Sequence, residues 1–146
     1  MQLTPNFSLE ELVKSDTALR RGIDNTPDGI VSGNLREYTA PGLEQVRALL
    51  GHAVRISSGY RCPQLNRVIG GSATSAHVHG LAADFTAPEY GTPSQIARAI
   101  AASDIQFDQL IMEGTWIHIG FAPVPRRQLL TAHFLAGRVR YSTGIA

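Results

Sequence analysis

Ser75-Ala76-His77-Val78-His79-Gly80-Leu81-Ala82-Ala83-Asp84, with Trp116-Ile117-His118-Ile119-Gly120 further on, is the part of this chain that decides its fold. His77 and Asp84 stand seven residues apart around Gly80, and His118 lies in a segment that alternates apolar and polar. Imidazole and carboxylate are both ligands that zinc accepts at about 2.0–2.2 Å. Two histidines and one carboxylate make three ligands, which leaves a fourth tetrahedral position open to water. That is the pattern of a catalytic zinc rather than a structural one. Residues 72–80 read as a loop and 81–85 as a strand. In 116–121 alternation puts Trp116, His118 and Gly120 on one face and Ile117, Ile119 and Phe121 on the other. The apolar set is expected to face the core, so His118 projects toward a cleft. His77 and His79 share a face in extended chain, so spacing alone leaves His79 open as the ligand in place of His77.

Working outward, 107–112 and 116–121 flank the short turn Glu113-Gly114-Thr115, which predicts a hairpin. Residues 53–57 alternate as a half-buried strand should. Pro63 suits the first position of a short helix through Leu65, Val68 and Ile69, ended by Gly70-Gly71. Residues 93–103 read as a helix with Ile96, Ala97, Ile100 and Ala101 on one face. Another helix fits about 35–50, with Leu43, Val46, Leu49 and Leu50 at helical spacing and Gly51 closing it. Near the N-terminus Ser8 caps a helix that ends near Ser15-Asp16; Glu11 completes a capping box, and Phe7 with Leu12 forms a hydrophobic staple. Residues 22–34 read as loop, and 128–132 as either strand or short helix. No repeat, low-complexity tract or linker interrupts the chain, so 1–146 is expected to be a single domain. The order of elements predicts an α+β fold, a small, mainly antiparallel sheet flanked by helices.

Composition narrows the class. A chain of 146 residues is large enough to bury its own core. With 43% hydrophobic and 17% charged residues it is globular rather than disordered. A formal charge of +1 and the lack of any Lys/Arg-rich run argue against nucleic-acid binding by bulk electrostatics. The basic residues are mostly arginine, which suits carboxylate recognition. No stretch approaches about 20 apolar residues, so no membrane insertion is expected. Met1 to Phe7 lack a basic n-region and an apolar h-region, so synthesis in the cytoplasm is expected. Cys62 is the only cysteine, which excludes an internal disulfide and a cysteine-held zinc. It reads as a small, half-buried hydrophobe.

Ser57-Ser58-Gly59-Tyr60-Arg61-Cys62-Pro63-Gln64-Leu65-Asn66, Val68-Ile69-Gly70-Gly71, Ser75-Ala76-His77 and Gly80-Leu81-Ala82-Ala83-Asp84 together resemble the zinc D-alanyl-D-alanine carboxypeptidase family of peptidases, M15. The likeness is strongest to its compact subgroup of bacterial cell-wall enzymes and phage proteins. The pattern Ser-x-His-x-x-Gly-x-Ala-x-Asp is matched at every fixed position, and Phe107-Asp108-Gln109-Leu110-Ile111 leading to Trp116-Ile117-His118-Ile119 fits as well. The resemblance covers roughly residues 5–132. It implies the fold shared with the Hedgehog signalling domain, one catalytic Zn2+ on His77, Asp84 and His118, and cleavage of peptides in the bacterial cell wall. It also implies that Arg61 faces the substrate, where a guanidinium can grip a carboxylate or a developing oxyanion. A surface salt bridge is the plainer role for Arg61. Ser75 matches a serine that shapes the substrate pocket, with loop capping as the alternative.

A water activated by zinc needs a nearby carboxylate to take its proton. Many members of the family place Asp or Glu three residues before the last histidine; here that position is Thr115, which cannot serve. Glu113 is the expected base and Asp108 the runner-up. Trp116 is expected to line the cleft and contact substrate, with core packing as the alternative. Tyr60 and Asn66 read as scaffold, His52 and His133 as surface or packing residues. The expected protein is thus a monomeric zinc metallopeptidase acting on peptidoglycan stems or cross-links. It could be a D,D-carboxypeptidase, an endopeptidase or a phage lysis enzyme that reaches the wall after release or on a phage particle. Two alternatives remain: a non-catalytic zinc-containing module that binds wall peptide, and a virion-associated structural protein.

Overall fold

The computed structural model describes residues 1–146 and is α+β. Six strands form the main sheet: β3 (Arg55–Ser58), β4 (Ala82–Thr86), β5 (Gln109–Met112), β6 (Ile117–Gly120), β7 (Gln128–Leu135) and β8 (Arg138–Thr143). Their order across the sheet is β3-β4-β6-β5-β7-β8. The β5–β7 pair is parallel and every other pair antiparallel, as expected of a mainly antiparallel sheet. A separate two-stranded sheet joins β1 (Gln2–Thr4) to β2 (Phe7–Ser8).

Alternation sorts the central strands into two faces. Ala83, Phe85, Leu110, Ile117 and Ile119 are fully buried on one of them. They pack with Leu43, Val46 and Leu50 of α4 (Ala40–Leu50) and Ile96, Ala97 and Ile100 of α6 (Pro93–Ala101). Each of the valine, leucine, isoleucine and phenylalanine side chains among them contributes roughly 1.5–3 kcal/mol by leaving water. A one-residue slip of β6 would expose both isoleucines and bury His118, so the apolar pattern itself holds His118 on the outer face.

The helices depart from the expected pattern in four places. Beyond α1 (Leu9–Val13) a second helix, α2 (Asp16–Arg21), starts where the first was expected to end. Ser15 caps it, accepting from the Ala18 N–H at 3.1 Å. Within the expected loop 22–34, Asp28 caps α3 (Gly29–Asn34) through the Val31 N–H. Residues Leu35–Thr39 are π-helical and lead into α4. Pro41 explains that widening: it lacks an N–H, and its ring would collide with the carbonyl of Glu37 in an unbroken α-helix. The expected loop 72–80 contains a 3-10 turn, Ala76–His79, closed by Gly80 at φ 70°.

The short helix α5 (Pro63–Ile69), the strand 81–85, the helix from Pro93 and the β5–β6 hairpin lie close to their expected positions. The ambiguous segment 128–132 is strand β7, which turns at Ala136 and Gly137 into β8.

Candidate metal centre and active site

In the β4–β6 ladder Asp84 lies directly opposite His118. His77 reaches the same point from the 3-10 turn. His77 Nε2 is 3.1 Å from Asp84 Oδ1 and 3.2 Å from His118 Nδ1, and His118 Nδ1 is 3.0 Å from Asp84 Oδ1. Ligand atoms about 2.0–2.2 Å from one tetrahedral ion stand about 3.3–3.6 Å apart, so the triangle fits a zinc-sized cation within a few tenths of an ångström. His77 is buried, and its Nδ1 lies 2.7 Å from the Gly59 carbonyl oxygen. A carbonyl only accepts, so Nδ1 carries the proton, and in the neutral ring the Nε2 lone pair points into the triangle. Burial pushes the Asp84 carboxyl up, but the adjacent His118 and His77 rings outweigh it and hold it well below the usual carboxylate range. Three electron-pair donors thus converge, and His77, Asp84 and His118 can hold a metal ion.

The segment after β3 supports this triangle. An added Cβ at Gly59 would lie 2.1 Å from the Leu12 carbonyl oxygen, so only glycine fits where the carbonyl must meet His77. The Tyr60 N–H donates to the Leu12 carbonyl at 2.7 Å, and the Arg61 N–H to the His77 carbonyl at 3.1 Å. Asn25, in the loop between α2 and α3, binds this segment from outside. Its Nδ2 donates to the Val13 and Tyr60 carbonyls at 2.8 and 3.1 Å, and its Oδ1 accepts from the Cys62 N–H at 2.8 Å. Cys62 is half-buried and caps α5 through the Leu65 N–H. The Arg61 guanidinium donates to Ser75 Oγ at 3.4 Å, and that oxygen also accepts from the His77 N–H at 3.2 Å. Ser75 therefore caps the turn and steadies Arg61 at once. Arg61 Nε is buried without a partner, and burial lowers the guanidinium pKa against the opposing pull of the Asp84 charge.

The family model for Peptidase M15 matches residues 5–120, most of the chain. The chain belongs to peptidase family M15. A comparison with curated proteins finds no match. M15 peptidases depend on a metal, and the His77–Asp84–His118 triangle is where this metallopeptidase can bind one. The M15 match ends at the last residue of β6 and leaves the β7–β8 hairpin outside it.

Around the triangle of this M15 chain, the two carboxylates considered as bases differ sharply. Glu113 is half-buried in the turn between β5 and β6, its N–H donating to the Trp116 carbonyl at 2.9 Å. Burial raises its pKa; the His118 charge opposes this and the Asp84 charge adds to it, so Glu113 lies within electrostatic reach of the metal ligand set. Asp108 precedes β5 at its opposite end. It is engaged in a two-pronged ion pair, Arg126 Nε to Oδ1 and Nη2 to Oδ2, each at 2.9 Å. That pairing holds the Asp108 carboxyl below its ordinary pKa and makes it a structural group, not a free base. Thr115 is exposed, and Trp116 is half-buried at the foot of β6. His79 is exposed and outside the triangle, because a 3-10 turn has three residues per turn and sends residues two apart in different directions. His52 is exposed with its ring edge-on to Tyr90, and His133 pairs with Ser142 Oγ at 2.7 Å. Tyr60 and Asn66 are buried scaffold. No helix is long and apolar enough to cross a membrane.

Proposed function

We propose that residues 1–146 act as one monomeric zinc peptidase domain that hydrolyses peptide bonds of bacterial peptidoglycan stems or cross-links. The D-alanyl-D-alanine carboxypeptidase or endopeptidase type fits best, in the manner of a phage lysis enzyme that works at the cell wall. The observation that carries this is the convergence of His77 Nε2, Asp84 Oδ1 and His118 Nδ1 to within 3.0–3.2 Å of one another on the solvent side of a buried sheet.

His77, Asp84 and His118 would hold the ion, and bound zinc supplies Lewis acidity toward a water and toward the scissile carbonyl. Glu113 takes the proton of the attacking water and passes it to the leaving amine. Its raised pKa suits both transfers, since a base that must later act as an acid works best near the operating pH. Arg61, steadied by Ser75, holds a substrate carboxylate or the developing oxyanion. Trp116 forms one side of the entrance.

Digestion of purified peptidoglycan by the zinc-loaded protein tests this, with released fragments identified by mass spectrometry. Peptide fragments that vanish in His118→Ala and Glu113→Ala are expected. Thr115, at the family's usual base position, favours a second reading, a zinc-containing module that only binds wall peptide. Intact peptidoglycan beside stoichiometric zinc would support that reading and defeat the first.

A further inference from the structure

The β7–β8 hairpin continues the metal-bearing face of the sheet. Along one row of the ladders His118 lies opposite Ile111, Ile111 beside Leu130, and Leu130 opposite Thr143. Two residues further along β7, on the same face, Ala132 pairs with Tyr141. Beyond it, Phe134 pairs with Val139. Paired residues share a face, so Tyr141, Phe134 and Val139 stand on the side of the sheet that carries Asp84 and His118. Their exposures are 54%, 54% and 46%. Arg138, Arg140 and His133 alternate onto the other face, which leaves the metal-side face of the hairpin uncharged.

Two contacts tie this surface to the site. A Cβ at Gly114, beside Glu113, would lie 3.0 Å from the Phe134 ring, so the turn bearing Glu113 rests against Phe134. Burial and the Glu113 charge together raise the Tyr141 phenol. Ala132, opposite Tyr141 in the ladder, is small and buried, so the larger Tyr141 and Phe134 side chains dominate this surface. Arg61, by contrast, follows the end of β3 at the opposite edge of the sheet. The ligand triangle therefore has a cation on one flank and an uncharged aromatic surface on the other.

We infer that the β7–β8 hairpin is the second wall of the substrate cleft, with Phe134, Val139 and Tyr141 holding the uncharged stretch of peptide that leads away from the scissile bond opposite Arg61. This rests on the peptidase reading above. Three inter-strand steps of about 4.8 Å separate β6 from β8, about 14 Å, which an extended peptide crosses in about four residues at about 3.3 Å each. The wall thus selects a peptide with several residues on that side over a dipeptide.

Trp116 is the only tryptophan, and its carbonyl accepts from the N–H of Glu113 in the turn that rests against Phe134, so its fluorescence reports occupancy. The probe is the set of soluble muropeptides released from purified peptidoglycan by a muramidase, titrated into metal-free and zinc-loaded protein. The double variant Phe134→Ala/Tyr141→Ala is expected to bind about tenfold more weakly. Leu135→Ala, on the other face, is expected to bind as wild type does. With D-alanyl-D-alanine as probe the double variant and wild type are expected to match. If the double variant melts early, Tyr141→Ser alone carries the test, with a loss of about threefold to fivefold. Equal muropeptide affinity in wild type and variant would overturn the inference, even with cleavage intact. Weakened binding in the variant without cleavage by wild type would uphold the wall and sink the peptidase reading. Failure of wild type to bind any muropeptide would sink both.

Discussion

The two halves of the main sheet are held by different forces. Strands β4 and β6 are anchored by one fully buried face, with Ala83, Phe85, Ile117 and Ile119 packed against α4 and α6. Strand β8 has no buried residue and is held by its ladder to β7. The side chains that can hold a metal ion sit in or beside the first half and the exposed aromatic ones in the second. Burial of the back face gives Asp84 and His118 a fixed spacing, which chemistry at one ion needs. A ladder with little burial lets side chains vary at small cost, which suits recognition.

Substitutions can break this contrast, beginning with the largest effect. Glu113→Gln is expected to lower kcat about 10²–10⁴-fold while leaving zinc affinity nearly unchanged. A general base must be ionised, and burial raises the Glu113 pKa. Activity should therefore fall as pH drops through a value above that of an ordinary glutamate, and the pH profile of kcat/KM reads it. On the buried half, Ile119→Ala should cost about 2–5 kcal/mol in a urea melt. Its counterpart on the hairpin, Val139→Ala, should stay within about 0.5 kcal/mol; equal costs would erase the contrast. Gly59→Ala forces its Cβ onto the Leu12 carbonyl and moves the oxygen that orients His77. A loss of about 10–100-fold in zinc affinity is expected, measured by competition with a chelator. Asp108→Asn should cost only about 0.5–1 kcal/mol at neutral pH and leave kcat unchanged. Asp108 has a depressed pKa, so its contribution is present above the ordinary carboxylate range and fades as pH falls through the depressed value. The two proteins should converge in acid; a large loss of activity in Asp108→Asn would move the base assignment.

The convergence of His77, Asp84 and His118 was legible because motif and alternation agree: Ile117 and Ile119 fix one face, so His118 takes the other. Supporting contacts were not legible. Gly59 meets His77 from 18 residues away, and Asn25 meets Tyr60 and Cys62 from 35 and 37. No local period encodes such pairings. Ser15 and Asp28 are capping residues that could have revealed α2 and α3, but the helices they start are too short to show an apolar period. The 3-10 turn that separates His79 from His77 leaves no periodic trace either. Strand β8 alternates Arg138-Val139-Arg140-Tyr141 with neither face buried, so it lacks the one-sided pattern by which a half-buried strand is recognised.

The most direct measurement is a calorimetric titration of the metal-free protein with Zn2+, alongside His77→Ala, Asp84→Ala and His118→Ala. One tightly bound ion per chain in the wild type, lost or weakened by several orders of magnitude in each variant, is the expected result. Zinc binding that is absent from the wild type, or indifferent to all three substitutions, would refute a metal centre built on His77, Asp84 and His118.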